Sequence, residues 1–295
     1  MANPSYNFSL KREKDLIFTC TFVSVRFISS LTGYAMLITL TTDFGYTDPF
    51  VGIMKGVICG IDPQARIVDM SHGIPAQDIM AAALVLRQSA QYFPHGTIHV
   101  VVVDPGVGSA RRPLLVELEG SYFIGPDNGV LSLVMEAKRP TRIVHLSNPG
   151  YQLQPTSATF HGRDIFAPTA AYLSRGIAPE AFGETTDDFA KLVWPTVLKT
   201  ETTIRGEIVY IDGFGNLFTN IGADDLKELS AHGLRIMLGD LSILGLSANY
   251  AAAEQNKYVA LINSWGLLEI AIYKGSAQKR SGGIIGDKVQ VTWVP

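Results

Sequence analysis

Apolar and polar positions follow one texture over the first two thirds of the chain and another over the last third. From Met36, β-branched apolar runs alternate with segments whose apolar residues recur every three or four positions. Leu37-Ile-Thr-Leu-Thr-Thr reads as a buried strand that stops at Asp43-Phe-Gly. Pro49 to Ile61 reads as a helix with Phe50, Ile53, Met54, Val57 and Ile58 on one face. Arg66 to Asp69 is a second strand, and Ile79 to Phe93 a second helix rich in Ala and Leu. Thr97 to Val103 is apolar throughout, as a strand covered on both faces would be, and stops at Asp104-Pro-Gly. Leu114–Leu118 and Tyr122–Ile124 read as strands, Gly129 to Glu136 and Ile165 to Arg175 as helices. This alternation predicts an α/β domain over 36–195, with a mixed, mostly parallel sheet.

After Trp194-Pro195 the segments shorten. Gly206–Ile211, Leu217–Ile221, Leu234–Leu238, Tyr258–Ile262, Leu268–Tyr273 and Lys288–Val294 read as strands separated by Gly, Asn and Asp. That spacing predicts a smaller C-terminal β-barrel over 200–295. Residues 1–35 differ again. Lys11, Arg12 and Lys14 precede an apolar run, Leu16 to Val25, which loosely matches a signal peptide. Arg26 interrupts the run and a small-residue cleavage site is missing. The expectation is a poorly ordered extension, with Met36 opening the folded unit.

Composition narrows the class of protein. The 295 residues carry 24 Lys plus Arg and 27 Asp plus Glu, a net charge of −3. Such a chain is poorly suited to gripping nucleic acid or an anionic membrane, and neither partner is expected. At 47% hydrophobic and 17% charged residues it can build a core, which excludes a disordered chain. No run of about 18 uncharged apolar residues predicts a transmembrane helix. Cys20 and Cys59 are too few for a disulfide framework or a four-thiolate zinc site. They fit a reducing compartment, so a cytoplasmic location is expected.

Two predicted strands end in an aspartate, Asp43 and Asp104, and ligands in open α/β sheets bind at that end. A carboxylate there can accept both ribose hydroxyls, although Asp also serves turns and caps. Asp48, directly before Pro49, fits a helix cap equally well. In Asp104-Pro-Gly-Val-Gly-Ser-Ala-Arg111 the glycine-rich turn can fold Arg111 back onto Asp104. Arg111 stands where a dinucleotide fingerprint needs its third glycine, and no P-loop is present, so neither nucleotide motif applies. His161 lies in Phe160-His-Gly-Arg-Asp164 at a helix start, a polar setting that the other histidines lack. No His-x-x-x-His or Glu-rich pairing supports a metal site, and none is expected. In Asp212-Gly-Phe-Gly-Asn-Leu-Phe218, Asn216 can read a base edge while Phe214 or Phe218 stacks on it; a plain hairpin turn explains the same residues.

Taken in order, Thr41-Thr-Asp-Phe-Gly, Val103-Asp-Pro-Gly-Val-Gly-x-x-Arg111, Gly125-Pro-Asp-Asn-Gly129, Phe160-His-Gly-Arg-Asp164, Asp212-x-Phe-Gly-Asn216 and Asn263-Ser-x-Gly-x-Leu-Glu-Ile-Ala271 resemble one family. It is the S-adenosyl-L-methionine (SAM) hydrolases that form adenosine, the hydroxide adenosyltransferases related to SAM-dependent chlorinases and fluorinases. The resemblance runs from about Met36 to the C-terminus. It implies a homotrimer in which SAM lies between the N-terminal domain of one subunit and the barrel of its neighbour. It implies a water-activating set at Asp104, Arg111 and His161, and a ribose carboxylate at Asp43. It places Asn216 and the aromatic Phe218 at the adenine, and Asp48, Asp212 and Ser264 at the methionine end. SAM is then the substrate, and no separate cofactor is implied.

The reaction so implied is an in-line attack of water or hydroxide on ribose C5′, with methionine leaving. Two alternatives stand beside it. In a halogenase, chloride or fluoride would attack the same carbon. A carboxylate about 4 Å from a halide opposes this by roughly 4 kcal/mol at an effective dielectric of 20, and the halogenating branch carries other residues at the positions of Asp104 and His161. A SAM- or adenosine-binding protein without turnover would keep Asp43, Asn216 and Ser264 but would not need Asp104, Arg111 and His161 together.

Overall fold

The computed structural model describes residues 36–293 except 137, 228 and 230–232. The predicted extension over 1–35 and the end of the last predicted strand, Val294, lie outside the described residues.

The first part of the chain folds as β1 (Leu37–Thr42), α1 (Phe50–Ile61), β2 (Arg66–Ser71), α2 (Ile79–Ala90), β3 (Ile98–Val102), β4 (Pro113–Leu118), β5 (Ser121–Pro126), α3 (Ser132–Met135), β6 (Arg142–His145) and α4 (Ala167–Ser174). Its six strands form one sheet in the order β2-β1-β3-β5-β4-β6. β2, β1, β3 and β5 run parallel, while β4 is antiparallel to both β5 and β6. The mixed, mostly parallel sheet is the one the alternating pattern predicts.

β3 shows why its sequence is apolar throughout. Ile98, Val100 and Val102 enter a core with Met54, Ile58 and Phe166, whereas Val101 and Val103 enter a second core with Leu84 and Leu86 of α2. Alternate side chains therefore serve opposite faces, each covered by helices. His99 is buried in this strand, where Thr39 Oγ1 meets its Nδ1 at 2.8 Å and burial pushes its pKa down to about 4.

The structure corrects the predicted face of α1. Val51, Met54 and Ile58 are buried, while Phe50 and Ile53 are exposed. The predicted helix at 129–136 shrinks to the single turn of α3, and β6 was not predicted. α4 is preceded by a π-turn over Gly162–Phe166, a local widening often found at functional sites.

The remainder comprises β7 (Leu198–Lys199), β8 (Thr203–Ile211), β9 (Leu217–Gly222), α5 (Ala223–Leu226), β10 (Arg235–Leu238), β11 (Leu241–Leu244), β12 (Tyr258–Ile262), β13 (Leu267–Ile272), α6 (Ala277–Ser281) and β14 (Lys288–Thr292). Its sheet runs β11-β10-β14-β8-β9-β13-β12, antiparallel throughout, with β7 beside β8. Ser247 N–H, just past β11, donates to Ala260 O on β12 at 2.8 Å and nearly closes the barrel. Ile204, Leu217, Leu268, Ile270 and Val289 fill it. On its outer surface Val209, Tyr210 and Trp265 pack on the α2 side of the first sheet.

Candidate active site

β1 has β2 on one side and β3 on the other. The chain leaves β1 and β3 in opposite directions, which opens a crevice at their carboxyl ends. A cleft of about 430 Å³ lies there, lined by Asp43, Asp48, Asp104 and His161 among others. All its walls come from the α/β part of the chain.

Arg111 folds back onto Asp104 as the turn predicts. Its Nε donates to Asp104 Oδ1 at 2.9 Å and its Nη2 to Oδ2, in a fork whose side chains are only 8% and 6% exposed. The same Nη2 lies 2.6 Å from His161 Nδ1. Arginine has only donors, so His161 Nδ1 accepts and the imidazole proton sits on Nε2. Burial first, and then the Arg111 charge, hold His161 below the ordinary imidazole value of 6.5. One donor of the guanidinium, Nη1, is buried with no hydrogen-bond partner among the described residues.

Local sequence explains how these groups meet. Gly108 has φ +79°, and a Cβ there would lie 2.4 Å from Ala158 O. Only glycine lets the 104–111 turn approach the segment that leads into His161. Asp164 is buried, accepts Ser157 N–H at 2.8 Å and forks with Arg163, which fixes that segment in turn.

Asp43 Oδ2 accepts Gln77 N–H at 2.8 Å and so laces the loop after β1 to the loop before α2. Oδ1 has no protein partner among the described residues. Asp48 does not cap α1, because the capping position is Pro49 and no side-chain cap bond forms. The capping explanation falls away, and Asp48 remains as a carboxylate on the cleft wall.

Sequence reasoning missed two features here. The rings of Phe44, Phe50 and Phe160 meet edge-on at centroid separations of 5.3 to 6.0 Å and give the cleft an apolar wall. Phe50 was expected inside the α1 core, so its place on the wall is a correction. His72, set aside as lacking polar company, is buried with Nδ1 2.8 Å from Thr42 Oγ1 and Nε2 3.1 Å from Asp69 Oδ1. Thr42 Oγ1 also accepts Phe44 N–H at 3.2 Å, so this chain holds the turn that carries Asp43. The spacing Asp69-x-x-His72 at a strand end was its only trace in sequence.

The barrel residues form a second group. Asp212 Oδ1 accepts Phe214 and Asn216 N–H at 2.9 Å, and Oδ2 accepts Asn216 Nδ2 at 2.9 Å. Phe218 is buried edge-on against Tyr210 and Trp265, whereas Phe214 is 80% exposed. Ser264 is exposed on a turn held by Asn263 Oδ1, which accepts Trp265 N–H at 2.9 Å and Leu267 N–H at 3.1 Å. None of these residues lines the Asp104 cleft. Among the described residues no cluster of three or more His, Cys, Asp or Glu could hold a metal ion, and no helix is long and apolar enough to cross a membrane.

Comparison with known proteins gives matches along nearly the whole described chain. The family model for the SAM hydroxide adenosyltransferase N-terminal domain matches residues 38–183, and that for the C-terminal domain matches 206–290. A Thermus thermophilus protein named (R)-S-adenosyl-L-methionine hydrolase is 35% identical over 255 residues, 82% of this chain and 93% of that one. A fluorinase of an Actinoplanes species is more distant, at 30% identity over 80% of this chain and 90% of its own. The crystal structure of a Thermotoga maritima protein of unassigned function superposes with a TM-score of 0.81 at 32% identity, covering 87% of this chain and all of that one.

Proposed function

The chain belongs to the SAM hydroxide adenosyltransferase family, and from that premise we propose that it hydrolyses SAM to adenosine and L-methionine. The relatives' names specify the (R) sulfonium epimer, and the same epimer is the substrate proposed here. SAM is consumed as substrate, and no further cofactor takes part.

The observation that carries the reading is the contact of Arg111 with both Asp104 and His161, two residues that line the cleft. Oxygen attacks C5′, the C5′–S bond breaks, and the electron pair leaves with methionine. The sulfonium is a good leaving group, so the task is to present an oxygen nucleophile, and free water has a pKa near 15.7. Both Asp104 oxygens are taken by Arg111, and His161 Nδ1 is taken as well. In this arrangement Asp104 aligns the guanidinium. His161 Nε2 is the donor that holds the oxygen, the Arg111 charge behind it favours the hydroxide form, and the proton passes to solvent. Holding it in line with C5′ supplies up to about 7–11 kcal/mol. Hydroxide and sulfonium annihilate charge, and the Phe44–Phe50–Phe160 wall favours that by keeping the cleft dry.

In this reading Asp43 takes the ribose hydroxyls and Asp48 the methionine end. Asn216 faces the adenine through its Oδ1 and its remaining N–H, Phe214 supplies the open ring beside the buried Phe218, and Asp212 and Ser264 complete the methionine end. These barrel groups meet the cleft of a neighbouring subunit in a homotrimer. The separation of the two groups within one chain supports that assignment. The free, exposed thiol of Cys59 supports a reducing, cytoplasmic setting.

The test is product analysis after incubation with SAM, first in halide-free buffer and then with chloride or fluoride added. Adenosine and methionine in every sample are the expected products. A 5′-halo-5′-deoxyadenosine would move the protein to the halogenating branch, and saturable binding without product would make it a binding protein.

A further inference from the structure

We propose that Asp127 and Asn128 are positioning residues that clamp the two ends of the catalytic turn, an inference resting on the roles given above to Asp104 and Arg111. The segment Gly125-Pro-Asp-Asn-Gly129 carries no role in that reading, yet its contacts converge on the turn from both sides.

Asn128 Nδ2 donates to Val103 O at 2.9 Å. Val103 directly precedes Asp104 and is fully buried. The ladder of β3 with β5 stops at Val100 and that with β1 at Val102, so the carbonyl of Val103 lies past both. The Asn128 amide replaces the missing strand partner. Its Oδ1 accepts Val130 N–H at 3.1 Å, which fixes the orientation of the amide and aims Nδ2 at β3.

Asp127 works on the other end. Its N–H donates to Arg112 O at 2.8 Å, and its Oδ2 accepts Arg112 Nε at 2.9 Å and Nη2 at 2.6 Å. Arg112 directly follows Arg111. Two consecutive residues therefore hold the residue before Asp104 and the residue after Arg111, and one peptide unit sets the spacing of the two ends. Asp127 Oδ1 also accepts Ala190 N–H at 2.7 Å. Gly129, at φ +98°, leaves room for Leu192, which a Cβ there would meet at 2.8 Å. The clamp is thereby braced by the segment that runs on toward the barrel.

An ordinary turn-stabilising Asn would lower stability when replaced and leave the rate of folded enzyme alone. A clamp acts on the in-line geometry, where a shift of about 1 Å costs about 10²-fold in rate. The experiment measures kcat, the dissociation constant for SAM and the thermal midpoint for wild type, Asn128→Ala and Arg112→Lys. The expected result is a kcat lowered by about 10 to 10²-fold per folded molecule, with SAM affinity within about threefold of wild type. Arg112→Lys keeps the charge and loses the fork onto Asp127, and it decides the matter if Asn128→Ala does not fold. A kcat within twofold of wild type in a folded variant, or losses that merely follow the folded fraction, would overturn the clamp. Wild-type protein that does not turn over SAM would instead remove the reaction on which the clamp rests, and that control separates the two failures.

Discussion

One guanidinium at the cleft is shared between a carboxylate and a neutral imidazole. His161 accepts from Arg111 through Nδ1, and both its burial and that cation disfavour the imidazolium. The folded-state pKa therefore lies below 6.5, and His161 stays neutral throughout the pH range above it. As pH falls through the lowered value, the ring gains a proton at Nδ1 and repels Arg111. The ratio of wild-type to His161→Asn kcat is expected to hold constant from about pH 8 down to 6.5 and to shrink only below that. Paired pH–rate profiles check it, and a ratio that already changes above 6.5 would show that His161 titrates as a free imidazole. Sequence singled out Asp104, Arg111 and His161 because they sit in glycine-rich, locally unusual segments, and the structure brings the three into contact. It did not disclose the tautomer, the Asp69–His72–Thr42 chain or the ring wall. Each of those includes a contact between residues far apart in the chain, Arg111 with His161, Thr42 with His72 and Phe44 with Phe160.

At the level of elements, the 104–111 turn joins β3 to β4 and bends far enough to bring Arg111 onto Asp104. Gly108→Ala would force a side chain into the left-handed region and against Ala158 O. The expected cost is about 1–3 kcal/mol of stability, with kcat falling further than the folded fraction because the His161 segment moves too. Denaturant unfolding together with kcat checks this, and unchanged values for both would mean that the turn is not close-packed. Long, strongly patterned elements were legible. β1 spans Leu37–Thr42 as predicted, and β12 spans Tyr258–Ile262. β6, with only Ile143 and Val144 as its apolar residues, and β11, with two of its four residues exposed, offer too little pattern to announce a strand. α1 misled for a different reason. Its apolar stripe is wider than its buried face, because Phe50 joins the cleft wall instead of the core.

For the whole molecule, the cleft residues belong to the α/β part and the Asp212–Asn216 turn to the barrel, and the proposed function makes them two halves of one site. The homotrimer proposed above brings unlike halves together across subunit interfaces. Asp104→Ala disables one half and Asn216→Ala the other, so each variant alone is expected to be nearly inactive. Refolded together in equal amounts, they are expected to recover about a quarter of wild-type activity, because random mixing restores that share of intact pairs. Activity no higher than that of the separate variants would place the complete site within one chain. Sequence alone showed two stretches of distinct texture, and the structure gives each its own sheet. How their halves combine depends on surfaces that neither apolar periodicity nor local motifs encode.

The most direct test of the account is turnover of SAM in oxygen-18 water by wild-type protein and by Asp104→Ala, with SAM binding measured for both by calorimetry. The wild type is expected to release adenosine carrying one oxygen-18. For Asp104→Ala, binding within a few-fold of wild type and a rate lowered by at least about 10²-fold are expected, because the guanidinium loses its alignment. Unlabelled adenosine, or labelled adenosine formed by Asp104→Ala at the wild-type rate, would contradict it.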